Sequence, residues 1–97
     1  MSESKRKVRV APSTLYREVQ GEAVLLQLDN GEYYGLDEVA TRIWQLLAKD
    51  GDLDAVRDAL LDEYDVDEEE AGRDIARVVD ELVSRRLLEF EDAPLGG

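Results

Sequence analysis

The chain contains no cysteine and no histidine. Without cysteine there is no disulfide staple and no thiolate metal site, and nothing argues for secretion. Without histidine the commonest acid–base group is missing, and the four serines (Ser2, Ser4, Ser13, Ser84) have no base placed beside them. The sequence therefore points away from an enzyme, and it calls for no cofactor and no metal. No apolar run is long enough to span a membrane. The basic start Lys5-Arg6-Lys7 leads into alternating residues rather than an apolar run, so it is not a signal peptide. A soluble, cytoplasmic protein is expected. Internal repeats and low-complexity segments are absent as well.

What is present is a short, acidic, core-forming chain. Ninety-seven residues suffice for one hydrophobic core, and 43% apolar content is too high for compositional disorder. The net charge is −12 and unevenly spread. Residues 1–17 hold five basic groups (Lys5, Arg6, Lys7, Arg9, Arg17) against Glu3, leaving 7 basic and 23 acidic groups for the rest. Phosphate contacts need cations, so an acidic body of this kind repels nucleic acid.

Taken in order, residues 1–7 read as a flexible basic start, 8–90 as one domain and 91–97 as a tail. Val8-Arg9-Val10 suits a short strand that ends at Pro12-Ser13. Leu15 to Val19 suits a second, with a turn at Gly21. The nearly continuous apolar run Ala23–Leu28 has the composition of a central strand covered on both faces. Asn30-Gly31 is a strong two-residue hairpin signal, pairing Leu28 with Tyr33 and Leu25 with Leu36. The expected product is a three-stranded antiparallel meander with Leu15–Val19 and Glu32–Leu36 as its edges.

From Asp37 the period becomes helical. Asp37, Asp52 and Asp67 are each placed to cap a helix, and Asp67 with Glu70 has capping-box spacing. Asp50-Gly51 stops the first helix; it is a poor calcium loop, because Ala55 and Leu61 stand where glycine and glutamate are needed. The third helix runs to about Arg86, and Leu87–Phe90 returns as a short strand. The fold class is α+β and winged helix-turn-helix-like, with an N-terminal three-stranded antiparallel sheet followed by three helices.

The third helix has a wide apolar arc. Ala71, Ile75, Val78 and Leu82 make one stripe, and Gly72, Ala76, Val79 and Val83 a second beside it. The first stripe is core. The second is more than one core contact needs, and Gly72 within a helix costs about 1 kcal/mol relative to Ala, which suggests a close neighbour. Edge strands are a liability unless short, blocked or used. Glu32, Tyr33, Tyr34, Gly35 and Leu36 contain no Pro or Lys to block pairing. An open edge beside Ala76, Val79 and Val83, rimmed by Arg73, Arg77 and Asp80, has the geometry for β-strand addition of a guest peptide.

Val24-Leu25-Leu26, Gly31-Glu32-Tyr33-Tyr34-Gly35-Leu36-Asp37, Arg42-Ile43-Trp44-Gln45-Leu46-Leu47 and Glu63-Tyr64-Asp65-Val66 together resemble the PqqD-like family over about residues 8–90. The resemblance implies a RiPP recognition element. Such domains bind the leader of a ribosomally made precursor as an added strand, against the third sheet strand and third helix. A free-standing chain of this size looks most like the recognition protein of lasso-peptide biosynthesis. That likeness implies as partners a precursor leader, a separate leader peptidase (a transglutaminase-like protease) and a cyclase. The sibling role, in PqqD itself, is a peptide chaperone for a radical enzyme. Two rivals rank lower. A winged-helix DNA-binding protein lacks a basic recognition helix, and an acidic carrier protein lacks a serine at a helix start.

Overall fold

The computed structural model describes residues 7–91. The basic start and the tail lie outside the described residues, except Lys7 and Glu91. These two are tied together, the Glu91 N–H donating to the Lys7 carbonyl at 2.8 Å. Five strands and three helices follow in the order β1 (Val8–Val10), β2 (Thr14–Val19), β3 (Glu22–Gln27), β4 (Glu32–Gly35), α1 (Glu38–Lys49), α2 (Leu53–Glu63), α3 (Glu68–Ser84), β5 (Leu88–Phe90). β2-β3-β4 form an antiparallel sheet, and β1 pairs with β5 in a separate ribbon. The α+β, winged-helix-like order expected from the sequence is the one observed.

All three helices start where an aspartate can accept from free amides. Asp37 accepts from Ala40 N–H at 2.9 Å, Asp52 from Asp54 N–H at 3.0 Å and Asp67 from Glu70 N–H at 2.8 Å. Asp50 closes α1, and Gly51 follows with φ +81°, its Cα so close to the Val8 carbonyl that a Cβ would stand 2.2 Å from that oxygen. The segment is a helix stop and a cap, not a cation loop.

The meander differs from expectation in register. β3 and β4 pair Leu25 with Tyr34, Leu26 with Tyr33 and Gln27 with Glu32. The connection is therefore four residues, Leu28 to Gly31, rather than the tight Asn30-Gly31 turn. Gly31 takes the positive φ of +74° alone, while Asn30 Oδ1 accepts from Glu32 N–H at 2.9 Å. Buried Gln27 also shapes this loop: its Oε1 accepts from Asp29 N–H at 2.7 Å, and its Nε2 donates to the Arg86 carbonyl at 2.6 Å. The two-residue turn with positive φ at both positions is instead Gln20-Gly21, between β2 and β3. A shift of two residues leaves every side chain on its expected face, because the strand period is two.

The inner face of the sheet packs on the helices through Ala23 and Leu25. Trp44, Ile43 and Leu47 of α1, Val56 of α2 and Leu82 of α3 fill the core beneath it. Thr41, also buried, stitches α1 to the sheet by accepting from Ala23 N–H at 2.8 Å and donating to the Leu36 carbonyl at 3.2 Å. The expectation that β3 is covered on both faces is not met. Its residues alternate, with Ala23, Leu25 and Gln27 buried while Val24 and Leu26 stay partly exposed on the outer face. α1, α2 and α3 pack on one side of the sheet, and among the described residues nothing lies over the other.

Candidate peptide-binding groove

β4 is paired on one side by β3, and among the described residues no strand pairs its other side. Which backbone groups face that open side follows from the ladder. Leu36 N–H donates to the Ala23 carbonyl at 2.8 Å, so Ala23–Leu36 is a hydrogen-bonded pair. Antiparallel pairs alternate between bonded and non-bonded. Counting back along the observed register, Leu25–Tyr34 is bonded, whereas Val24–Gly35 and Leu26–Tyr33 are not. Tyr33 and Gly35 therefore turn both N–H and C=O away from β3, towards the open edge. A strand added there finds two residues' worth of unpaired main chain.

The side chains divide the same strand between two environments. Tyr34 lies on the inner face, half-buried against the core, with the Arg85 guanidinium 4.5 Å above its ring. Tyr33 points to the outer face and is 70% exposed. Arg85 is held in place by Glu81, Nε to Oε2 at 2.8 Å, and that carboxylate raises the guanidinium's affinity for its proton, with smaller contributions from Tyr34 and Glu32. Cation and ring together cover the inner side of β4 at Tyr34.

One turn away, Tyr34, Gly35, Leu36 and Ala40 on one wall, and Arg77, Val78 and Glu81 on the other, enclose a cavity of about 170 Å³. Its floor is apolar (Leu36, Ala40, Val78) and its rim charged (Arg77, Glu81). Arg77 is loosely paired with Asp74 at 3.6 Å and is mostly exposed, so its guanidinium is free to meet a guest. Gly35 lies on the same side of β4 as Tyr33, and a Cβ there would meet nothing within 4 Å.

The structure brings together Glu32, Tyr33, Tyr34, Gly35, Leu36 and Arg77 of the residues expected from the sequence. It does not bring the expected apolar stripe of α3 to β4. At 100° per residue, Arg77, Glu81 and Arg85 share the flank facing β4, with Val78 at its inner border. Ala76, Val83 and Gly72 fall on the opposite flank and Asp80 on the solvent-facing back, while Arg73, four residues before Arg77, continues the Arg77 row one turn further on and is exposed. Val79 is 4% exposed and belongs to the core, so it offers no surface to a guest. Val83 lines a different cavity of about 430 Å³, beside Arg86 and the Pro12-Ser13 corner. Gly72 has no close neighbour that would demand glycine. Val78, Glu81 and Arg85 are the groove residues that reasoning from the sequence missed. Their signal was an i, i+4, i+8 row of Arg77, Glu81 and Arg85, which a search for spare apolar surface passes over.

A model of the family described as coenzyme PQQ synthesis protein D (PqqD) matches residues 22–88. The chain belongs to the PqqD family. The matched span begins at β3 and contains both β4 and α3, the two walls of the groove. Among solved structures, this PqqD-family chain is similar to TbiB1 in complex with the TbiA(beta) leader peptide, at 34% identity and a TM-score of 0.80, covering 84% of this chain and 94% of that one. It is also similar to a lasso peptide synthetase B1 complexed with its leader peptide, at 30% identity and a TM-score of 0.78, covering 86% and 98%. No curated protein matches the sequence. Family and fold together make the chain a PqqD-like RiPP recognition element.

Proposed function

We propose that the protein binds the leader segment of a ribosomally synthesised precursor by β-strand addition to β4 and presents it to a processing enzyme of lasso-peptide biosynthesis. The observation that carries this reading is the edge at Tyr33 and Gly35, with unpaired main chain facing outward and α3 standing beside it as a wall. Likeness to two proteins solved with leader peptides supports the class of guest. In a strand added antiparallel, residues opposite Tyr34 and Leu36 direct their side chains inward. There they meet the Tyr34–Arg85 surface and the cavity floored by Leu36, Ala40 and Val78. Main-chain pairing supplies affinity, and these inward positions supply selection. Ordering a disordered leader costs about 2–5 kcal/mol of the gross contact energy, which favours a complex that releases its guest after processing. The protein acts by holding and presenting, with no chemical step of its own. Its partners in this reading are a separate transglutaminase-like leader peptidase and a cyclase, in the cytoplasm.

The decisive test is amide hydrogen exchange with and without the cognate leader peptide. Tyr33 and Gly35 should gain protection on binding. Tyr34, already bonded to β3, should change little. Protection gained equally at all three, or at none while the peptide binds elsewhere, would overturn the assignment. The family match favours one second reading, in which the guest is the precursor of pyrroloquinoline quinone and the receiver a radical enzyme. Parallel titrations of the two precursor peptides separate them, since the right guest should bind at least about tenfold more tightly, a difference of ~1.4 kcal/mol.

A further inference from the structure

Asn30 is the only asparagine in the sequence, and it precedes a glycine in the exposed loop that leads into β4. The backbone nitrogen after an asparagine can attack that residue's own side-chain carbonyl carbon and close a succinimide ring. Most following residues hinder the attack with a β-carbon, and glycine has none. In a folded protein the loop decides whether the reaction proceeds.

This loop favours it in three ways. Glu32 N–H donates to Asn30 Oδ1 at 2.9 Å, so a donor already points at the oxygen on which negative charge develops during attack. The Asn30 side-chain nitrogen has no hydrogen-bond partner among the described residues, so nothing holds it as it leaves. Gly31 is exposed, which admits the water that later opens the ring. One contact opposes the reaction. Gly31 N–H donates to the Gln27 carbonyl at 2.8 Å and must let go before its nitrogen can attack. A single exposed hydrogen bond slows that step by about two- to tenfold. Two other pairs in the chain offer related chemistry and are worse placed. At Gln20-Gly21 the longer side chain must close a larger ring, and at Asp50-Gly51 the glycine is buried and wedged against the Val8 carbonyl.

We propose that Asn30 is a self-modification site, converting through a succinimide with Gly31 to aspartate and isoaspartate, and that the isoaspartyl product weakens the peptide groove. The Gly31 nitrogen bonds to Asn30 Cγ and gives up its proton. The Cγ–Nδ2 bond breaks, and the amide departs with that proton as ammonia. Water then opens the ring at either carbonyl, and nothing is oxidised or reduced. In isoaspartate the main chain runs through Cγ, which inserts a methylene just before Glu32 and takes away the acceptor of its N–H. β4 then starts from a displaced position, and the outward main chain of Tyr33 moves with it. This consequence for the groove rests on the proposed leader binding; the modification itself does not.

The purified chain is kept warm in mildly alkaline buffer, where the Gly31 amide loses its proton more readily, beside a synthetic peptide of residues 26–36. Intact mass, peptide mapping and isoaspartyl methyltransferase labelling read the product. Ammonia loss is expected at Asn30 and at no glutamine, with isoaspartate formed, at a rate no more than about tenfold below that of the peptide. A slower rate overturns the proposal. So does equal labelling of Asn30→Ser, which keeps an oxygen for Glu32 N–H but has no amide to lose. The isoaspartyl form, separated by chromatography, should bind a synthetic leader peptide of the precursor encoded with this protein about tenfold or more weakly than the unmodified chain. Freshly purified Asn30→Asp carries the same charge on an ordinary backbone and should stay within about twofold. Equal affinity of the isoaspartyl and unmodified chains overturns the link to the groove. If isoaspartate forms while neither form binds leader, the site stands and leader presentation fails.

Discussion

Among the described residues the sheet has two open edges, and only one of them resembles a binding site. On β2, Leu28 N–H donates to the Ser13 carbonyl at 2.8 Å, which makes Ser13–Leu28 a bonded pair and turns the main chain of Tyr16 and Glu18 outward. In backbone terms β2 is as available as β4. The difference lies in what stands beside each edge. Next to β2 the protein satisfies itself: the Tyr16 hydroxyl donates to Glu18 at 3.0 Å, Gln45 of α1 donates to the same carboxylate, Arg42 donates to Gln45 at 3.1 Å and grips Glu63 through two bonds of 2.7 Å. The Tyr16 ring rests 5.7 Å from Trp44. Next to β4 there is space instead, a cavity with an apolar floor and a charged rim. An edge becomes a site when the neighbouring helix leaves room for side chains rather than bonding to the strand.

The sharpest way to break this comparison is to block each edge in turn. Proline deletes one N–H and is tolerated on edge strands where that N–H faces outward. Gly35→Pro removes a donor that only a guest can use, so leader affinity should fall by about tenfold or more, through the lost bond and the ring projecting into the guest's path. The thermal midpoint should move little. Glu18→Pro removes an equivalent donor on β2 and should leave leader affinity within about twofold. Comparable losses in the two variants would erase the distinction between the edges.

A smaller effect is expected from the two arginines that define the flanks. Arg85→Ala uncovers Tyr34 and removes a cation–π contact of about 0.5–2 kcal/mol. Leader affinity should drop by at most the roughly two- to thirtyfold that this energy corresponds to. Arg42→Ala breaks the Gln45 and Glu63 bonds beside β2, and should lower stability in urea while leaving the leader titration unchanged. If Arg42→Ala weakened the leader as much as Arg85→Ala, the groove would not be confined to the β4 side.

Much of this contrast was legible in the sequence, and its limits are instructive. The three aspartate caps, the element order and the open strand at Glu32–Leu36 follow from local chemistry, which acts over a few residues. The register did not, because the Asn30-Gly31 signal competes with a longer-range demand. Gln27 is buried and must reach both Asp29 and the Arg86 carbonyl 59 residues away. The four-residue loop satisfies it. The helix wall was misplaced for a related reason. A spare apolar stripe was sought, but Val79 went to the core and Val83 to the β5 side, and the flank facing β4 is built from Arg77, Glu81 and Arg85. Helical period gives the stripes; only packing chooses which of them looks at the sheet.

The smallest effect concerns pH and again separates the flanks. The Arg42 guanidinium, bonded to both oxygens of Glu63, holds that carboxyl below the ordinary glutamate range. A group with a depressed folded-state pKa contributes stability above its unfolded value of about 4.3 and loses it as pH falls through the lower folded value. Acid should therefore weaken the β2-side clamp. Both side chains are more than one-third exposed, so solvent screening keeps the effect small. Protonation of the many other acids also relieves the −12 charge, so wild type must be compared with Glu63→Gln rather than with itself. Urea midpoints measured from neutral pH down to about 3 should converge for the two proteins as Glu63 protonates. At neutral pH Glu63→Gln should be the less stable, yet bind leader as wild type does. A difference in stability that persisted unchanged into acid would remove the Arg42–Glu63 bond as its cause, and with it the claim that β2 is closed by the protein's own hydrogen bonds.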